Sequence, residues 1–241
     1  MSKKQEEPKI KKAMVVVAHA DDAEWGCSGS VARLCREGAE VVYVLCTDGS
    51  KGTQNRSLSP EKLSEIRQLE QINAGKILGL KEVVFLNYPD GYLEPTLDLR
   101  KDITKQIRIW QPDLLITTNP KRDLMTSQYI GHPDHFAAGE STLAAVFPSA
   151  RDHLTFPELI SEKLDTHNVG EVWVMTFGEN SNFWYPISAG DVEKSTEALR
   201  AHVSQIENPD EAVKWMKKRR ADLGNQIGAE FAEGFRRFNL R

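Results

Sequence analysis

The sequence predicts an α/β protein: a mostly parallel sheet with helices on both faces. Three observations predict it. Short apolar runs of strand length alternate along the chain with stretches of helical periodicity. The runs are rich in β-branched residues and apolar throughout, as strands buried on both faces are. The composition, 241 residues with 40% hydrophobic and 27% charged, is that of a globular chain, which excludes collagen-like, disordered and disulfide-stapled classes.

The elements follow in order. Residues 1–11 are charged and lack an apolar core, so they read as a disordered tail rather than a secretory signal. Residues 12–241 read as one domain. Ala13–Ala18 is the first strand. Ser28 to Glu37 is a helix, with Val31, Leu34 and Cys35 on one face and Gly38 placed to cap it. Val41–Cys46 is the second strand. Ser59-Pro60-Glu61 opens the next helix, with serine at the cap and proline in the first turn; it runs to Leu78 and stops at Gly79. Val83–Leu86 is the third strand, and Leu99–Trp110 a helix that ends before Pro112. Leu114–Thr118 and Val172–Met175 are the remaining strands. His135–Val146, Val192–Ile206 and Glu211–Gly234 are the remaining helical stretches. Strand–helix–strand alternation requires right-handed crossovers, hence a Rossmann-like three-layer sandwich. Thr47–Leu58 and Asn119–Pro133 are irregular, and loops of that length in a compact domain usually carry function.

Several partners are disfavoured. A net charge of −4 gives no general attraction for nucleic acid or a membrane surface. The longest apolar run, Ala13–Ala18, is far short of the roughly 20 residues of a membrane helix. Cys27, Cys35 and Cys46 cannot all pair and form no CxxC, which suits reduced thiols in the cytoplasm. Cys46 ends an apolar strand with no base beside it, so a structural thiol is the better reading than a nucleophile.

In open α/β sheets ligands bind beyond the carboxyl ends of the strands. His19-Ala-Asp-Asp22 follows the first strand, Thr47-Asp-Gly-Ser50 the second, Asn87-Tyr-Pro-Asp90 the third, and Gly131-His-Pro-Asp-His135 the loop after the fourth. His19 and Asp22 lie three apart, as do His132 and His135. Two imidazoles and a carboxylate from these segments suit a catalytic zinc site with positions left for water. Asp21 beside them suits a base for that water. The same donors also suit iron(II) or another divalent ion. The bland readings are a helix cap for Asp21-Asp22 and a surface turn for His132–His135. Gly26-Cys-Ser-Gly29 lacks the dinucleotide-binding spacing, and Thr47–Gly52 lacks the Gly-Lys-Ser/Thr ending of a phosphate-binding loop. His153 and His167 lie in polar connecting sequence. Trp173, Phe183, Trp184 and Tyr185 suit either core packing, a subunit interface or stacking on a sugar ring.

At these residues the chain resembles the LmbE/PIG-L family of zinc-dependent N-acetylglucosaminyl deacetylases. The family's A-H-P-D-D-E is matched by Ala18-His-Ala-Asp-Asp-Ala-Glu24, and its H-P-D-H by His132–His135. Thr47-Asp-Gly-Ser50, Arg67-Gln-Leu-Glu70, Tyr88-Pro-Asp-Gly91 and His202-Val-Ser-Gln205 extend the likeness over residues 13–206. The resemblance implies a metal-dependent hydrolase that removes the N-acetyl group of an amino sugar. It implies zinc on His19, Asp22 and His135, with Asp21 as general base. His132 would stabilise the oxyanion, or protonate the amine, as imidazolium. Asp134 would orient an imidazole, and Arg67 and Asp90 would contact sugar hydroxyls. It also implies a homo-oligomer, commonly a hexamer. The chain departs from the motif at Ala20 and Ala23, the latter either shifting the acid to Glu24 or dropping it. An amidase for a thiol–sugar conjugate or another amide, and a non-catalytic sugar-binding protein, are the alternative readings.

Overall fold

In a computed structural model, residues 10–124, 130–176 and 180–240 are described. The expected tail falls almost wholly outside them. The described chain forms one seven-stranded sheet. Its elements are β1 Lys12–Val17, α1 Asp22–Gly26, α2 Ser28–Arg36, β2 Glu40–Thr47, α3 Pro60–Leu78, β3 Glu82–Tyr88, α4 Leu97–Trp110 and β4 Leu114–Thr117. After these come α5 Pro133–Ala144, α6 Pro157–Ser161, β5 Glu171–Met175, β6 Phe183–Ile187, α7 Ala189–Arg200, α8 Pro209–Asn225 and β7 Phe231–Asn239.

The strand order is β3-β2-β1-β4-β5-β7-β6. β1 pairs in parallel with β2 and β4, β2 with β3, and β4 with β5. β7 is antiparallel to both β5 and β6. The sheet is therefore mostly parallel, as its sequence predicts. Alternate side chains of β1 feed two cores. Ala13, Val15 and Val17 pack with Val31 and Leu34 of α2, Ala74 and Leu78 of α3, and Val192 and Ala198 of α7. Met14 and Val16 pack with Leu99, Ile103 and Ile107 of α4 and Ala137 and Ala138 of α5. The period-2 alternation of a strand makes this division, and it explains why these strands read as unbroken apolar runs.

The caps read from sequence are present. Ser59 Oγ accepts from Lys62 N–H at 3.2 Å, and Gly79 ends α3 at φ 89°. The structure corrects the C-terminal third. Glu211–Gly234 is not one helical stretch: α8 ends at Asn225, and Phe231–Asn239 is a strand. The chain reverses tightly at Gly224, where a Cβ would lie 2.7 Å from the Ala229 carbonyl oxygen. β6 also lay unread among the aromatics. Its Phe183 and Tyr185 close with Trp173 and Phe235 around one aromatic cluster. Those rings are core, and Trp173, 0% exposed, is closed to a sugar. The expected Val192–Ile206 helix ends at Arg200, and residues 201–206 form turns.

Candidate metal centre

β1 and β4 are neighbours, and their connections leave toward opposite sides of the sheet. Such a reversal opens a crevice at the carboxyl ends of the two strands. His19 leaves β1 there. Asp21 caps α1 in the left-handed region at φ 78°, and Asp22 opens that short helix. Across the crevice, α5 begins at Pro133 with His132 as its cap and His135 in its first turn. Gly139, one turn on, lets α5 close on the exit of β4. A Cβ there would stand 2.5 Å from the Thr118 carbonyl oxygen. Thr118 Oγ1 also donates to the His135 carbonyl at 2.7 Å.

These elements bring three donors together. His135 Nε2 lies 2.9 Å from Asp22 Oδ1 and 3.3 Å from His19 Nδ1. His19 Nδ1 lies 3.7 Å from Asp22 Oδ2. Ligands held about 2.0–2.1 Å from a tetrahedral ion stand about 3.3 Å from one another, so the set fits one small divalent cation. Asp22 is fixed in place because Oδ2 accepts from the N–H groups of Ala18 and His19, at 3.1 and 2.9 Å. Its Oδ1 is left to face the cation position.

The other side of His19 faces two carboxylates. Nε2 lies 3.2 Å from Asp134 Oδ2 and 3.2 Å from Asp90 Oδ1. A carboxylate on the far nitrogen fixes the tautomer of a ligating imidazole and leaves the near nitrogen bare. Asp134 also accepts from Gly91 N–H at 2.7 Å and Leu93 N–H at 3.3 Å, and Asp90 from Lys51 N–H at 2.9 Å. His19, Asp90, His132 and Asp134 form a second cluster of possible ligands. Both Asp134 oxygens and Asp90 Oδ2 accept from these backbone N–H groups, and Asp90 Oδ1 faces His19 Nε2, which favours the His19–Asp22–His135 set as the cation site.

The electrostatics point the same way. Burial opposes charge on His19, but the carboxylates of Asp134, Asp22 and Asp90 outweigh it and raise its pKa to about 12. Burial opposes charge on Asp22 as well, yet His135 and His19 hold its carboxyl far below the usual range. Asp90, despite burial, is lowered to about 2, chiefly by His19. This pocket of carboxylates demands a positive charge, which a metal supplies once the imidazoles are deprotonated. Asp21 is different: burial and the neighbouring Asp22 charge push its pKa up to about 7.

His132 is 41% exposed and its ring centroid lies 4.7 Å from that of His19. Its Nδ1 accepts from Asp134 N–H at 3.2 Å. Burial and the His19 charge lower its pKa. The geometry therefore describes a neutral ring with its proton on Nε2, whereas the family resemblance suggests an imidazolium. Arg67 is buried, 3.7 Å from Asp90 Oδ2. Its guanidinium donates to the carbonyls of Gly49, Lys51 and Gly52, so it holds the loop after β2 as well as facing Asp90.

Sequence reasoning left Trp25 and Gln71 unread, although both touch Asp21. Trp25 Nε1 donates to Asp21 Oδ2 at 3.3 Å, and Asp21 N–H donates to Gln71 Oε1 at 3.2 Å. Glu24 is fully buried behind them, 3.3 Å from the Nε2 of the equally buried His202. The acid missing at Ala23 thus reappears one residue later, facing inward. Residue 205 closes the same edge, where Gln205 Nε2 donates to the Ala20 carbonyl at 3.2 Å.

A parallel α/β sheet with two histidines, a carboxylate and a spare acid at its crevice defines a metal-dependent hydrolase. Residues 14–146 match the PIG-L family, described as GlcNAc-PI de-N-acetylase, and the chain belongs to that family. It is 31% identical over 232 residues to the diacetylchitobiose deacetylase of Thermococcus kodakarensis, covering 94% of this chain and 83% of that one. It is 28% identical to a probable N-acetyl-alpha-D-glucosaminyl L-malate deacetylase 2 of Bacillus anthracis, over 80% of each chain. Among solved structures, N,N'-diacetylchitobiose deacetylase from Pyrococcus horikoshii superposes with a TM-score of 0.86 at 29% identity. That match covers 96% of this chain and 85% of that one.

Proposed function

We propose that this protein removes the N-acetyl group from an N-acetylglucosamine-type amino sugar, releasing acetate and the free amine. The observation that carries the reading is the convergence of His19 Nδ1 and Asp22 Oδ1 on His135 Nε2, at 3.3 and 2.9 Å, beside an acid of raised pKa. These three residues would hold the metal, for which zinc is proposed: two imidazoles and a carboxylate are its usual catalytic donor set. A cation there supplies Lewis acidity, making water acidic near neutral pH and polarising a carbonyl.

The protein's own groups do the rest. Asp21 takes a proton from the attacking water, a role that a pKa of about 7 suits. The water oxygen bonds to the acetyl carbon. His132 donates from Nε2 to the oxygen that gains charge. The C–N bond then breaks, and Asp21 returns its proton to the departing nitrogen. Asp134 keeps His19 oriented, and Asp90 and Arg67 would contact sugar hydroxyls.

Residues 12–241 act as one domain, supported by the continuous sheet. Three unpaired cysteines suit a reducing cytoplasm. No described helix is long and apolar enough to cross a membrane, and the partner proposed is a small-molecule sugar rather than nucleic acid. A homo-oligomer rests on the family resemblance.

The test is acetate release from a panel containing N-acetylglucosamine and its β-1,4-linked disaccharide, with zinc and with chelator. Chelator-sensitive release on a sugar is the expected result. Zinc-loaded protein that instead releases acyl groups only from non-sugar amides would overturn the substrate class.

A further inference from the structure

Asp21 is held in a conformation that L residues seldom adopt. A non-glycine residue at φ 78° costs on the order of 1–2 kcal/mol and persists only where its surroundings enforce it. What enforces it here is a buried chain of side chains from three separate elements.

Gln71 projects from α3 and is fully buried. Its Oε1 accepts the Asp21 N–H at 3.2 Å. A backbone N–H can only donate, so that contact fixes which end of the amide is oxygen. The amide nitrogen must then face the other way, and it donates to Glu24 Oε1 at 3.1 Å. Glu24 in turn stands 3.3 Å from His202 Nε2. On the solvent side, Trp25 Nε1 donates to Asp21 Oδ2 at 3.3 Å. The indole is itself braced edge-on by Trp215, ring centroids 5.7 Å apart, and Arg219 Nη2 donates to the Trp25 carbonyl at 2.6 Å. Backbone and carboxylate of Asp21 are thus clamped from opposite sides. The clamp on Oδ2 leaves Oδ1 as the oxygen available to take a proton.

We propose that Gln71 and Trp25 are positioning residues for the reaction. Gln71, anchored by Glu24, fixes the Asp21 backbone, and Trp25 fixes its carboxylate. The inference rests on the reading of Asp21 as the base. Neither residue touches the metal ligands' donor atoms, so each acts on turnover rather than on metal uptake.

The experiment compares zinc-loaded full-length wild type, Asp21→Asn, Gln71→Met, Trp25→Phe and the double variant Asp21→Asn/Gln71→Met. Each is assayed for acetate release from the substrate the wild type prefers and for bound zinc. Outer residues that orient a reacting group are worth about 10–100-fold. Gln71→Met is expected to lose that much kcat with KM within about twofold and zinc content unchanged, while Trp25→Phe loses about 10-fold. The double variant is expected to be no slower than Asp21→Asn, because both changes act through one group. Wild-type turnover in Asp21→Asn would mean that the base is misassigned, whatever Gln71 does. A slow Asp21→Asn beside wild-type kcat in Gln71→Met and Trp25→Phe would overturn the positioning role alone. Should Gln71→Met fail to fold, Trp25→Phe decides by the same kcat and KM readout, its half-buried ring being replaced by a similar one. A crystal structure of Gln71→Met gives a readout free of substrate. Asp21 leaving the left-handed region is expected, and Asp21 unmoved would overturn the proposal.

Discussion

His19 Nδ1 and His135 Nε2 stand 3.3 Å apart although 116 residues separate them. The contact exists because β1 and β4 are adjacent in the sheet and both segments leave its carboxyl edge there. Two nitrogens at that separation repel when both rings are charged and cooperate when a cation lies between them. His135→Ala or Asp22→Ala removes one of the three proposed ligands. Each variant is expected to lose most of its bound zinc after dialysis, measured by elemental analysis, together with activity. Full zinc content in both would refute the ligand set.

Metal removal is reversible in the same picture. Chelator-treated wild type is expected to lose acetate release and to regain it on titration with zinc, saturating near one equivalent per chain. Activity that survives complete metal removal would exclude the proposed chemistry.

Asp21→Asn separates proton transfer from binding. The amide cannot take a proton, yet His19, Asp22 and His135 are untouched. Zinc content should stay at the wild-type level while kcat falls about 10²–10⁴-fold, the usual contribution of a positioned general base. Steady-state kinetics with matched metal analysis provides the check.

Asp134 serves two structures at once. It faces His19 Nε2 at 3.2 Å and receives the N–H groups of Gly91 and Leu93. Asp134→Ala frees the imidazole and the loop after β3 together. A loss of about 10–100-fold in zinc affinity or activity is expected, resolved by competitive zinc titration. Unchanged affinity and turnover would show that Asp90 alone orients the ring.

Away from the site, acid stability has a defined contributor at the start of α7. Asp191 is paired with Arg36 at 2.9 Å and accepts from Ser188 N–H and Oγ at 2.9 and 2.7 Å. Although burial opposes its charge, these partners hold its carboxyl below the usual range. A depressed folded-state pKa gives stability that is present above the unfolded value of about 3.9 and is lost as pH falls below it. Asp191→Asn should therefore cost about 1 kcal/mol at neutral pH, as the loss of a cap does, and the gap to wild type should close below about pH 4. Urea unfolding at stepped pH tests this, and a gap that widens in acid would contradict it.

Much of this protein was readable one element at a time. A strand buried on both faces writes itself as Met14-Val-Val-Val17, and Ser59, Pro60 and Gly79 punctuate α3. His19 with Asp22, and His132 with His135, lie within single turns at strand ends, so the chain itself brings each pair to the carboxyl edge. The last strands were not readable. β7 carries charged residues at Glu233, Arg236 and Arg237 and follows a helix without a clear break in pattern. Only its pairing with β5 and β6, and the burial of Glu233 against Arg220 at 2.5 Å, make it a strand.

The order of the strands from β1 to β5 and the residue types at their ends were legible in the chain alone, because periodicity, capping and turn spacing are local properties. Only tertiary structure brings His19, Asp22 and His135 to one place and sets Gln71 and Trp25 against Asp21. Gln71 is 50 residues from Asp21, and no local pattern distinguishes it from any other helical glutamine. Its proposed role follows from how α3 packs beside the β1 exit, where the Asp21 N–H requires an acceptor and meets Gln71 Oε1 at 3.2 Å.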